Sequence, residues 1–173
     1  MQPRQGRLQG RKFCGYFPGY SQEVERTKNY LTWAILAAHT NNTAGYVRLR
    51  SANPLQRPEI HFRYFDEGND GQGIDAESVA KGVEFVHRIL ERNSAIKQET
   101  IQPAVGASHA EILQFVKDNA WGHHASCTNP MGPATDPNAV VDSNFRVIGT
   151  QNLRIVDASV FPRIPGFFIV TPI

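Results

Sequence analysis

Cysteine is nearly absent from this chain, with two in 173 residues. That is too few for a disulfide framework, and it fixes no redox compartment. No excess of one charge exists either: 18 Lys and Arg face 16 Asp and Glu, a net charge of +2. The basic residues Arg4, Arg7, Arg11 and Lys12 read as a solvated tail, so no nucleic-acid partner is expected. No apolar run approaches the roughly 20 residues of a membrane span, and the N-terminus lacks the apolar core of a signal peptide. The six histidines show no metal spacing, since His39, His61, His87 and His109 lie singly in separate elements. Gly71-Gln-Gly73 is not followed by a third glycine at the spacing of a dinucleotide fingerprint and reads as a surface loop. Internal repeats and low-complexity tracts are missing as well.

What remains is ordinary globular composition, 40% apolar and 20% charged. The length suits one sizeable core, or one domain with part of a second. Residues 1–29 read as irregular, with Phe13-Cys-Gly-Tyr-Phe-Pro-Gly-Tyr20 an aromatic loop punctuated by Gly and Pro. Residues 30–39 read as a strand, Asn41 to Gly45 as a turn, and 46–50 as an alternating strand completing a hairpin. Residues 59–65 alternate again, which predicts a three-stranded antiparallel sheet. Asp75 is expected to cap a helix carrying Val79, Val83, Val86 and Leu90 on one face. Ser108 with Glu111 forms a capping box ahead of a shorter helix. After Asn119 the texture changes to loops and short strands over 120–127, 145–147 and 153–156, so a boundary is placed there. Asn41-Asn42-Thr43 is a formal glycosylation acceptor and is read as a turn.

Two segments carry chemistry. The first is Trp121-Gly-His-His-Ala-Ser-Cys-Thr-Asn-Pro-Met-Gly132, and the second is Leu153-Arg-Ile-Val-Asp-Ala-Ser-Val-Phe-Pro162. A neutral imidazole is a good general base near pH 7, although a lone histidine is more often a satisfied structural one. Cys127 invites a nucleophile reading. Three residues along an extended strand would hold it about 10 Å from His124, on the opposite face, which favours a packing role. A strand ending in Asp157-Ala158-Ser159 lets backbone approach a ligand closely, or is an ordinary strand-end turn.

Together these segments resemble the C-terminal signature of the glucose–methanol–choline (GMC) flavoprotein oxidoreductases. His124 is followed by Ala-Ser-Cys-Thr and then Met131-Gly132, the register of the choline-type members, and Val140-Val-Asp142 and Arg146-Val-Ile-Gly149 also follow the pattern. The resemblance implies an FAD cofactor and a small-molecule alcohol substrate. It implies that His124 takes the hydroxyl proton while hydride leaves for the flavin, and that Asp157, Ala158 and Ser159 contact FAD. The fold expected is α+β: a mainly antiparallel sheet flanked by helices over residues 1–119 as the substrate-binding domain. Residues 120–173 would then return to complete an FAD-binding α/β domain.

Two departures stand out. The G-x-G-x-x-G fingerprint is missing, and Ile173 follows the apolar run Phe167-Phe-Ile-Val170. The chain is therefore read as a fragment whose partner is an N-terminal FAD-binding portion of the same protein, with no stable flavin of its own. Where family members carry a polar His or Asn after Asp-Ala/Gly-Ser, this chain has Phe167 and Phe168. His123, Phe167 and Phe168 are thus candidates to line the substrate pocket, with His123 or Thr171 as a replacement polar partner. The same departure keeps open a flavin-retaining lyase or cyclase, or an inactive fragment. No metal is expected, and no membrane partner.

Overall fold

The computed structural model describes residues 31–93, 103–122, 124–166, 168 and 169, together with residues 8–14 as a backbone strand. The chain separates into two compact units, residues 1–120 and 121–173.

In the first unit, β1 (Leu8–Cys14) pairs antiparallel with β2 (Leu31–Ala37), Leu8 opposite Ala37 and Cys14 opposite Leu31. A second pair joins β3 (Tyr46–Arg48) to β4 (Glu59–His61), also antiparallel, with Val47 opposite Ile60. Two helices follow, α1 (Ile74–Glu91) and α2 (His109–Asn119). The result is a small α+β unit. It corrects the sequence reading at two points. The strand at 31–37 takes β1 as its partner instead of the 46–50 segment, and residues 8–14 are extended instead of irregular. Among the described residues the antiparallel content is accordingly two separate two-stranded sheets. The Phe13 to Tyr20 segment beyond Cys14 lies outside the described residues.

Periodicity predicted the helices well because it is local. Val83, Val86 and Leu90 are buried on α1 together with Ala76 and Ala80. Ala80 and Val83 close against Ile112 and Val116 of α2, with Ile35 of β2 and Phe65 at the margin. Burying a Val or Ile side chain contributes about 1.5–3 kcal/mol, so Val83, Ile112 and Val116, closed around Ala80, hold the two helices together. The capping box at α2 is complete: the Ser108 hydroxyl accepts from Glu111 N–H, and the Glu111 carboxylate accepts from Ser108 N–H at 2.7 Å. Both Ser108 groups hold the Glu111 carboxyl below its ordinary range.

Asp75 does not cap α1. The N-cap is Gly73, in the left-handed region at φ 64, and Asp75 lies inside the first turn, only 7% exposed. Its carboxylate accepts from Asn41 N–H (2.8 Å), Asn42 N–H (2.9 Å) and Asn41 Nδ2 (3.2 Å). Asn42 extends the network, donating to the Arg63 carbonyl and accepting from Ala44 and Asn69 N–H. Gly68 is obligatory beside it, because a Cβ there would meet Asn42 Oδ1 at 2.5 Å and the Arg63 carbonyl at 2.8 Å. A buried carboxylate thus ties the turn after β2 to the start of α1.

The β3–β4 pair is amphipathic. On one face Tyr46 stacks on His61, and its hydroxyl donates to Glu59, which holds the Glu59 carboxyl below its ordinary range. On the other, Val47 and Ile60 are 63% and 53% exposed.

Candidate active site

The second unit contains both chemistry-bearing segments and lays them side by side. Backbone N–H groups of Cys127, Asn129 and Met131 donate to the carbonyls of Ala158, Ser159 and Val160 at 3.2, 2.9 and 2.9 Å. Asn129 Nδ2 adds a side-chain bond to Ser159 Oγ at 3.0 Å. Residues about thirty apart in sequence therefore form one backbone seam. Ala158 and Val160 are buried behind it, while Asp157 is exposed.

Residues 158–160 turn as a short 3-10 helix because Asp157 caps them, its carboxylate accepting from Ser159 N–H at 2.8 Å and from the Ser159 hydroxyl. Those two donors hold the Asp157 carboxyl below its ordinary range, the hydroxyl first. The carboxylate is therefore an anionic acceptor at neutral pH.

The loop around Met131-Gly132 is fixed by Val141, the largest fully buried side chain among the described residues, at 0% exposure. Gly132 N–H donates to the Val141 carbonyl, and Val140 N–H donates to the Pro130 carbonyl. A Cβ on Gly132 would stand 3.0 Å from Ala139 Cβ, so the residue after Met131 has little room for a side chain. Asp142 and Arg146 do associate, through backbone: the Asp142 carboxylate accepts from the N–H groups of Asn144 and Arg146 at 2.8 and 2.9 Å. These bonds, that to Arg146 first, hold its carboxyl below the ordinary range.

The expected strands of this unit are reduced to isolated bridges, Met131–Val141, Val141–Val147 and Arg146–Arg154. Residues 120–127 form no strand among those described, and Cys127 has φ 66, a left-handed conformation. The opposite-face argument that separated His124 from Cys127 therefore loses its geometric basis. The choice of His124 rests on its place in the motif. Cys127 is half-buried with Sγ 3.5 Å from Ser126 Oγ.

His124 is half-buried, and Phe168 stands against it, ring centroids 5.2 Å apart with planes at 90°. The structure thus brings one substrate-pocket candidate to the candidate base. His123, Phe167 and Thr171 lie outside the described residues. Asn129, which anchors Ser159, was not singled out from sequence; its only signal was the Asn-Pro step within the motif. In the first unit a cleft of about 450 Å³ is lined by Asp66, Asp70, Glu77 and Lys117. None of the residues singled out as site candidates line it. Among the described residues no group of three or more His, Cys, Asp or Glu could hold a metal ion.

A small, neutral pair, Ala158 and Ser159, held against Cys127 and Asn129 in the segment that follows His124, suits the close approach of a flat heteroaromatic cofactor on one side only. No glycine-rich phosphate loop accompanies it in the sequence. The residues present fit one wall of a flavin pocket.

Comparison with known proteins completes the description. A family model described as GMC oxidoreductase matches residues 41–173. A glucose methanol choline oxidoreductase, atC, of Aspergillus terreus is 34% identical over 155 residues, covering 89% of this chain and 25% of that protein. The oxygen-dependent choline dehydrogenase of Vibrio vulnificus is 41% identical over 126 residues, 70% of this chain and 22% of the relative. The mitochondrial choline dehydrogenase of Mus musculus is 37% identical over 126 residues, 70% of this chain and 20% of the relative. The chain spans a quarter or less of the length of these relatives.

Proposed function

The chain belongs to the GMC oxidoreductase family, and from that premise we propose that it is the C-terminal part of an FAD-dependent oxidoreductase acting on CH–OH donors. The observation that carries the reading is the backbone seam from Cys127 to Met131 against Ala158 to Val160. It fixes the segment after His124 beside the turn that would face the cofactor.

In this reading His124 takes the hydroxyl proton of the alcohol. A positioned base near neutral pKa supports the C–H cleavage that accompanies loss of that proton. The bound flavin supplies the hydride acceptor, chemistry that no side chain of this chain can provide. Asp157, Ala158 and Ser159 hold one side of the flavin: Ala158 and Ser159 allow close approach, and the Asp157–Ser159 hydrogen bonds keep the turn rigid. The first unit serves as the substrate-binding domain, and the N-terminal portion of the full protein supplies the phosphate-binding loop. Relatives named as choline dehydrogenases support an alcohol as substrate class.

Two measurements test this. In the flavin-loaded protein carrying these residues, His124→Ala should lower turnover roughly 10²–10⁴-fold, the usual worth of a general base; a smaller loss than that of a His123→Ala variant overturns the assignment. Residues 1–173 expressed alone should show no stable flavin absorbance, and near-stoichiometric FAD in that preparation refutes the division of labour. A second reading, a flavin-retaining lyase or cyclase, is favoured by the apolar ring of Phe168 packed against His124. Product formed without bleaching of the flavin selects it.

A further inference from the structure

Phe168 cannot donate, accept or carry a proton, yet it packs at right angles on the candidate base, centroids 5.2 Å apart. Perpendicular rings at 4.5–7 Å are the arrangement that aromatic quadrupoles favour. The χ2 torsion of histidine is broad and roughly two-fold, so an imidazole without such packing samples a wide range of ring orientations. A general base must present one nitrogen within about 3 Å of the proton it removes. Phe168 is itself well supported. Its neighbour Ile169 is 5% exposed, and the buried Gly166, at φ 83, turns the chain just before it.

We propose that Phe168 is a positioning and specificity-determining residue. It holds the His124 ring in its working orientation, and it makes the space beside the base apolar. The substrate is then an alcohol whose carbinol carbon bears an aromatic or unsaturated hydrocarbon group. A polyol is disfavoured, because a hydroxyl laid against the phenyl ring loses water and gains no partner. A planar hydrocarbon group there gains an edge or face contact. This inference rests on the reading of His124 as the base.

Two readouts test it. In this chain with isotopically labelled histidine, Phe168→Leu should move the His124 ring-proton resonances, because the ring current of Phe168 is lost, while Phe168→Tyr should leave them nearly in place. In the flavin-loaded protein, with benzyl alcohol and glycerol as probes, wild type should prefer benzyl alcohol. Phe168→Leu should reduce that preference, as the ratio of kcat/KM values, by about tenfold, the lower end of what one hydrophobic contact discriminates. It should also lower kcat for both alcohols, and Phe168→Tyr should retain the preference. Unmoved His124 resonances in Phe168→Leu, an unchanged ratio, or a wild-type preference for glycerol overturns the proposal. If His124→Ala is inactive and the ratio is still unchanged, this inference alone fails. If His124→Ala keeps full turnover, the reading of the base fails with it.

Discussion

Replacing Asp75 by Ala should destabilise the chain by about 3 kcal/mol. The carboxylate is 7% exposed and accepts three N–H bonds from Asn41 and Asn42. Hydrogen bonds to a charged group contribute roughly 1.5–3 kcal/mol each, and a donor left without an acceptor costs about 1–3 kcal/mol. Three such bonds would exceed 3 kcal/mol if they added. They share one acceptor group, and removing it also relieves the cost of burying a charge, so the sum is discounted. Asp75→Asn keeps one carbonyl oxygen but turns an NH₂ toward a second donor; about half the loss is expected. Urea unfolding followed by far-UV circular dichroism gives both values from the midpoint shift at constant slope. Amide exchange at Asn41 and Asn42 supplies the local readout, since those N–H groups should lose protection first. A loss below 1 kcal/mol for Asp75→Ala, with Asn41 and Asn42 still protected, refutes the view that this carboxylate holds the turn.

Two further outcomes follow from particular side chains. Val141→Ala removes two methyl groups from a site at 0% exposure and should cost roughly 2 kcal/mol from lost transfer energy and the residual cavity; accelerated amide exchange at Gly132 and Ile148, which bond to Val141 and Val140 carbonyls, would report it. His109 lies between two carboxylates of α1, Nδ1 2.7 Å from Glu84 and Nε2 3.1 Å from Glu77, and those bonds, Glu84 first, raise its pKa above the ordinary value. Because the folded pKa is the higher one, the stabilisation is complete below the unfolded value of about 6.5 and is lost as pH rises through the folded value. Thermal melts of wild type and His109→Gln should therefore differ most below about pH 6.5 and converge once pH has risen through the raised folded-state value, and a pH-independent difference contradicts the bridge.

Legibility from sequence follows the range of the interaction. Both helices and the capping box at Ser108 were readable because a period of 3.6 and an i, i+3 side-chain exchange are written within a few residues. The partner of β2 was not, since pairing with β1 joins residues 17 to 29 apart, from Cys14 with Leu31 to Leu8 with Ala37. Asp75 was misread for the same reason. An acid at a helix start looks like a cap, and only the fold reveals Asn41 and Asn42 beneath it. In the second unit the motifs marked His124 and Asp157 to Ser159 as residues to watch. Their adjacency could not be read, because the seam joins backbone groups and leaves no trace in side-chain type. Cys127 at φ 66 is a further case: a non-glycine residue seldom adopts that conformation, so composition predicts extended chain there.

The seam between residues 127–131 and 158–160 also bears on which changes in the gene the protein can absorb. The intervening stretch closes a loop whose entropic cost grows only slowly with length, and several of its residues, among them Asp136, Asn138 and Asn144, are exposed. Insertions between Pro133 and Asn138 should thus leave the two halves of the seam in register. A frameshift or early stop between Gly132 and Asp157 has a different effect. It removes the carbonyls that receive the N–H groups of Cys127, Asn129 and Met131, so a lesion thirty residues downstream strips the histidine segment of its support even though every residue of its motif is still encoded.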